Sequence, residues 1–200
     1  HFDHLGVDET LANDRIYNGA DDNASGVSAV LQIARAFLPP DEALRTVIFA
    51  FWDGEEKGLL GSKYFVQSCP FISQVKGYLN FDMIGRNNKP EQPQHVVYFY
   101  TAAHPVFGDW LKQDIARYSL RLQPDYRAWD RPTGGSDNAS FALCNIPIIC
   151  TTQTDIPIIT SLGHTDRLNW EKMIEITKAA FLNAWNLANE NKILIQLETK

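Results

Sequence analysis

Cysteine and methionine are scarce, at three and two in 200 residues. The thiols Cys69, Cys144 and Cys150 are odd in number and lack the close spacing of a thiolate metal site. Cys144 and Cys150 could pair, but three buried thiols are the simpler reading. Long apolar runs are missing too: none approaches the ~20 residues of a membrane-spanning helix, and no signal peptide is visible. Positive charge is also short, with 18 Lys and Arg against 24 Asp and Glu and a net charge of -6. That balance argues against a nucleic-acid partner, which selects basic stripes. No internal repeat or low-complexity segment breaks the chain.

What the chain does hold is 44% hydrophobic residues, enough for one sizeable core and a single domain over residues 1–200. Residues 46–52 form an apolar, β-branched and aromatic run that reads as a buried strand. It stops at Asp53-Gly54 and is followed by two adjacent carboxylates, Glu55 and Glu56, and by Gly58-Leu-Leu-Gly-Ser62. Carboxylates at the carboxyl end of a buried strand stand where open α/β sheets put their chemistry. A bland alternative is a solvated turn and helix start, since acids are favoured near a helix N-terminus.

The remaining elements alternate. Residues 27–38 carry an apolar stripe at helical spacing, with Asp22, Asn23 or Ser25 available as N-cap. Helices are predicted over residues 59–67, from Pro105 to Tyr118, and from an Asn169 cap to Ala188. Strands are predicted at residues 76–81, 96–100 and 146–151. The tail, residues 192–200, is left between a strand and a frayed end. Strands alternating with helices predict an α/β fold with a largely parallel sheet.

Several loops at strand ends carry chemistry-bearing side chains. His1 is followed by Asp3, and a His-x-Asp pair on an extended segment shares one face. Two successive aspartates, Asp21 and Asp22, lie among small residues in Gly19-Ala-Asp-Asp-Asn-Ala-Ser-Gly26. Capping explains one of them; close packing would aim the other into a cleft. Asp82 closes the strand at residues 76–81, and His164 lies in a late loop. His1, Asp21, Glu55, Glu56, Asp82 and His164 form a nitrogen-and-oxygen donor set suited to zinc. Two-metal hydrolytic sites hold their ions ~3.5–4 Å apart and share a carboxylate, which leaves one carboxylate over as a base.

At these residues the chain resembles family 28 of the metallopeptidases, the co-catalytic dizinc aminopeptidases. The motifs are His1-Phe-Asp-His, Gly-Ala-Asp21-Asp-Asn-Ala-Ser-Gly, Glu55-Glu-Lys-Gly-Leu-Leu-Gly-Ser, Leu79-Asn-Phe-Asp-Met-Ile-Gly, Ser136-Asp-x-x-x-Phe and His164-Thr. They run in order over nearly the whole chain. The resemblance implies a three-layer sandwich, a mixed and mostly parallel sheet with helices on both faces, and a chain that is the carboxyl-terminal part of a longer protein. It also implies two zinc ions: His1 on one, oriented by Asp3; Asp21 bridging, with a cis peptide bond to Asp22; Glu56 as a ligand; Asp82 and His164 completing the other shell. Glu55 would be the general base, and Ser136, Asp137 and Phe141 would flank the substrate pocket. The implied substrate is a peptide with a free N-terminus, and the implied location is extracytoplasmic. Asn138 departs from the pattern, standing where many members carry His.

Two rivals share the fold. A glutaminyl cyclase would use one zinc on Asp21, Glu56 and His164, with Glu55 shuttling the proton. The intact glycine-rich motifs and His1 favour the peptidase. An inactive binding domain would lack zinc ligands, and no candidate ligand is missing.

Overall fold

A computed structural model describes residues 1–38, 43–130, 133–153 and 164–190. The tail at residues 192–200 and most of the loop before His164 lie outside them. In chain order the elements are β1 (Gly6–Val7), β2 (Ile16–Tyr17), α1 (Gly26–Ala36), α2 (Leu60–Ser68), β3 (Tyr78–Phe81), β4 (His95–Thr101), α3 (Val106–Arg117), β5 (Gln123–Trp129), α4 (Asn138–Leu143), β6 (Ile148–Thr152) and α5 (Trp170–Asn189). β1 and β2 form a small antiparallel pair.

The main sheet has the order β3-β6-β4-β5. β3 pairs parallel with β6, β4 pairs parallel with β5, and the central β4–β6 pairing is antiparallel. The sheet is therefore mixed and mostly parallel. Alternation along its strands then sends neighbouring side chains to opposite faces. Val96, Tyr98, Tyr100 and Ile149 pack with Phe107 and Leu111 of α3, Ile176 and Ala179 of α5, and Ala29 of α1. Ile148 and Cys150 face the other way, onto Phe141 and Ala142 of α4, with Phe65 and Val66 of α2 against them. Helices thus cover both faces, which is the three-layer arrangement.

Two expectations are corrected. Residues 46–52 pair with no strand among the described residues; they line, with residues 73–81, a cleft of about 960 Å³. A strand exists only through a partner's ladder; here the segment is held by apolar packing, Phe49 against α1 and α5 and Trp52 against Phe65 and Phe141, and by single hydrogen bonds at Trp52. Conversely, β5 was not anticipated. Its Pro124, Asp125 and Arg127 dilute the strand signal, as an edge position allows. Of the three thiols, which are free, only Cys150 is buried, and Cys144 is exposed.

Candidate metal centre

The opening segment is fastened beside residues 46–52, Phe2 N donating to Trp52 O at 2.9 Å. One residue on, the Asp3 carboxylate accepts the amides of Glu55 (3.1 Å) and Glu56 (3.2 Å). One carboxylate thus fixes the turn that follows Asp53-Gly54. Gly54 needs its positive φ of 72° there, a conformation that costs glycine little. From this turn Glu56 reaches His4, its Oε1 lying 2.8 Å from His4 Nδ1. Glu55 lies in the field of His1, Asp82 and Asp137.

Around Asp22 the donors gather into two groups. His1 Nε2 lies 3.2 Å from Asp22 Oδ1 and 3.5 Å from Asp82 Oδ1. On the other side, His4 Nδ1 lies 3.9 Å from Asp22 Oδ2 and 2.8 Å from Glu56 Oε1. Within each group the donor atoms lie within 4.8 Å of one another. The two oxygens of one carboxylate therefore face different groups, which is what a carboxylate shared between two ions must do.

Electrostatics register the excess of carboxylates. Burial alone would lower the His1 imidazole, but Asp22 and Asp82 outweigh it and raise its pKa to about 11. The surroundings thus select a positive charge at that spot, and a metal ion competes there with a proton. Burial raises the Glu55 carboxyl to about 8; the His1 charge opposes the rise, and Asp82, Asp137 and Glu56 add to it. Burial likewise pushes Asp137 to about 6. Asp82 Oδ1 is buried without a hydrogen-bond partner, facing His1 Nε2. Imidazole and carboxylate donors with no thiolate, and one orphaned carboxylate oxygen among them, fit zinc.

The structure brings together His1, Glu56 and Asp82 of the anticipated ligands, with Glu55 beside them, and differs at three places. The aspartate between the two imidazoles is Asp22; Asp21 is buried and hydrogen-bonded elsewhere. The cis bond lies between Asp22 and Asn23 rather than between the two aspartates. In so tight a turn adjacent side chains leave in different directions, and sequence spacing cannot tell which one faces the site. His164 lies outside both groups, half-exposed, with Nε2 3.2 Å from Asp14 Oδ2. His4 stands in the second group instead. It belongs to the His1-Phe-Asp-His motif, and its place three residues after His1 is the signal the sequence offers.

Asp3 faces both His1 and the turn of the two glutamates. Its Oδ1 lies 3.5 Å and its main-chain oxygen 3.2 Å from His1 Nδ1, and the same carboxylate also accepts the glutamate amides. Ser136, Asp137 and Phe141 are all buried. Asp137 Oδ2 lies 3.9 Å from the His1 main-chain nitrogen. Phe141 is a core residue, stacked on Tyr78 with centroids 3.8 Å apart.

The sequence model described as Peptidase family M28 matches residues 1–183. Leupeptin-inactivating enzyme 1 of Streptomyces exfoliatus is 37% identical over 136 residues, covering 65% of this chain and 28% of that protein. Leucine aminopeptidase 2 of Trichophyton equinum is 43% identical over 134 residues, covering 64% of this chain and 26% of that protein. Among solved structures, the LapA aminopeptidase of Legionella pneumophila superposes with a TM-score of 0.72 and 31% identity, over 88% of this chain and 48% of that one. The chain thus spans under a third of those two relatives and about half of the solved structure.

Proposed function

The chain belongs to peptidase family M28, and from that premise we propose that it carries the catalytic centre of a dizinc aminopeptidase. The observation that supports this most is the pair of donor groups sharing Asp22, with Glu55 adjacent to the Glu56 of one of them. His1, Asp22 and Asp82 would hold one ion, and His4, Asp22 and Glu56 the other. Zinc, when bound, supplies Lewis-acid polarisation of a carbonyl and a lowered pKa for water.

The chain's own residues do the rest. Glu55 accepts the proton of the attacking water and returns it to the leaving amine. Burial lifts this carboxyl above its ordinary range, which makes the carboxylate a stronger proton acceptor while leaving it able to give the proton up to the leaving amine. Asp3, by gripping both glutamate amides, keeps Glu55 on the proton and Glu56 on the metal. The free α-amine of a substrate would sit against the metal-binding carboxylates Asp22, Asp82 and Glu56, which supports release from the N-terminal end.

The paired groups also favour this reading over a single-zinc glutaminyl cyclase, which needs one ion. An extracytoplasmic location belongs to the same proposal; no described helix is long and apolar enough to cross a membrane. The base assignment is tested by Glu55→Gln in the full-length protein. Hydrolysis of an aminoacyl chromogenic substrate should fall by roughly the 10²–10⁴-fold typical of a lost general base, with zinc still bound. Undiminished turnover would refute it.

A further inference from the structure

Asp21, the aspartate that does not face the donor groups, is tied to the segment that carries Asp82. Its Oδ1 accepts the amides of Gly85 (2.7 Å) and Arg86 (3.2 Å), and its Oδ2 accepts Gln153 Nε2 (2.5 Å). The neighbours in its turn reinforce the tie. Asn23 accepts from Met83 N and donates to Phe81 O, and Ser25 Oγ accepts from Ile84 N. From the other side, Asp82 N donates to Thr151 O, Gln153 N to Met83 O and Asn169 N to Gly85 O. The fully buried Lys172 of α5 donates Nζ to Arg86 O, and its charge acts on Asp21. The contact is close enough that a Cβ on Gly85 would meet Asp21 Oδ1 at 3.0 Å and Leu168 Cδ2 at 2.6 Å.

Three N–H groups converge on the Asp21 side chain, and only a carboxylate accepts at every position without offering a hydrogen of its own. The buried charge this requires has a counter-charge in Lys172, without which it would be strongly unfavourable. The residue next in sequence is Asp22, and the residue embedded in the tied segment is Asp82. The separation of those two donors from His1 Nε2 is 3.2 and 3.5 Å, and the group that ties them together stands outside both donor groups.

We propose that Asp21 is a positioning residue for the metal centre: its carboxylate staples the turn bearing Asp22 to the segment bearing Asp82 and sets the spacing at which an ion is held. This rests on the metal-dependent reading above. Gln153 takes part through the same carboxylate, and Lys172 balances its charge.

The test measures zinc dissociation constants, by competition with a chromophoric chelator, and the absorption spectrum of the cobalt-substituted protein. The proteins are the full-length wild type, Asp21→Ala, Asp21→Asn and Gln153→Leu. Asp21→Ala should weaken zinc by about 10–100-fold, the usual cost of losing an outer-shell partner, and change the cobalt spectrum. Asp21→Asn keeps an acceptor for the Gly85 and Arg86 amides. Gln153 can then turn its Oε1, which has no partner now, towards the new amide. Zinc affinity in that variant should stay within about threefold of wild type, a conservative rescue. Gln153→Leu should fall between the two, and it serves as the decisive variant if the alanine substitution does not fold. Wild-type zinc affinity in Asp21→Ala or in Gln153→Leu, with only the melting temperature lowered, would overturn the proposal, as would an asparagine variant as weak as the alanine one. A wild-type protein that binds no zinc would instead refute the metal-dependent reading, and this proposal with it.

Discussion

Replacing Phe141 with alanine separates packing from substrate binding at a residue whose motif suggested the pocket. The ring is 3% exposed and lies nearly parallel to Tyr78, at 6° and 3.8 Å. Trp52 and Phe65 each sit 6.0 Å away, centroid to centroid. Losing such a ring leaves a cavity that neighbouring aromatics cannot fill, at a cost of about 3–5 kcal/mol, of which the stacking contributes ~0.5–1.5 kcal/mol. In a domain of this size each kcal/mol shifts Tm by roughly 2–4 °C, so a fall of about 6–20 °C is expected. Tyr78 also loses its stacking surface while its hydroxyl stays tied to Trp52 Nε1 (3.0 Å) and Asn80 Oδ1 (2.9 Å). That tie keeps the end of β3, and with it Asp82, in place. Thermal unfolding followed by circular dichroism, beside Michaelis kinetics on an aminoacyl substrate at 25 °C, reads both effects. KM should stay within about twofold of wild type while Tm drops, the pattern of a stability change alone. A Tm lowered by less than about 3 °C, together with a tenfold rise in KM, would put the ring in the pocket and refute this reasoning.

The histidine exchange is tested by counting zinc. On the proposed two-zinc centre, His4→Ala should weaken one zinc equivalent by tenfold or more and spare the other, because His4 belongs to one donor group only. His164→Ala should cost less, its imidazole lying against Asp14; the reverse order would contradict the role assigned to His4.

Much of this was legible in the chain, for definite physical reasons. α1, α3 and α5 carry apolar stripes at helical spacing, and Asn169 caps α5 as its position implied, accepting from Lys172 N at 3.0 Å. Glu55, Glu56 and Asp82 follow apolar runs, and their grouping could be read from that placement. What spacing could not supply was the direction of a side chain in a turn. Asp21 and Asp22 are equivalent as letters, and only the three-dimensional path of residues 19–26 sends one to the imidazoles and the other to the Gly85 amide. His4 escaped notice because an irregular segment has no periodicity to mark its face. Nothing local in the sequence signals that Lys172 and Gln153 are buried against a distant carbonyl and carboxylate. Residues 46–52 have the composition of a strand, but pairing depends on a neighbour that composition does not reveal.

The most direct test of the central claim is the product formed from a short peptide by the full-length protein, followed by mass spectrometry before and after treatment with a chelator. The account predicts stepwise release of the N-terminal amino acid, lost on chelation and restored by zinc. Hydrolysis that persists after complete metal removal would contradict it, and so would cyclisation of an N-terminal glutamine without any release of amino acid.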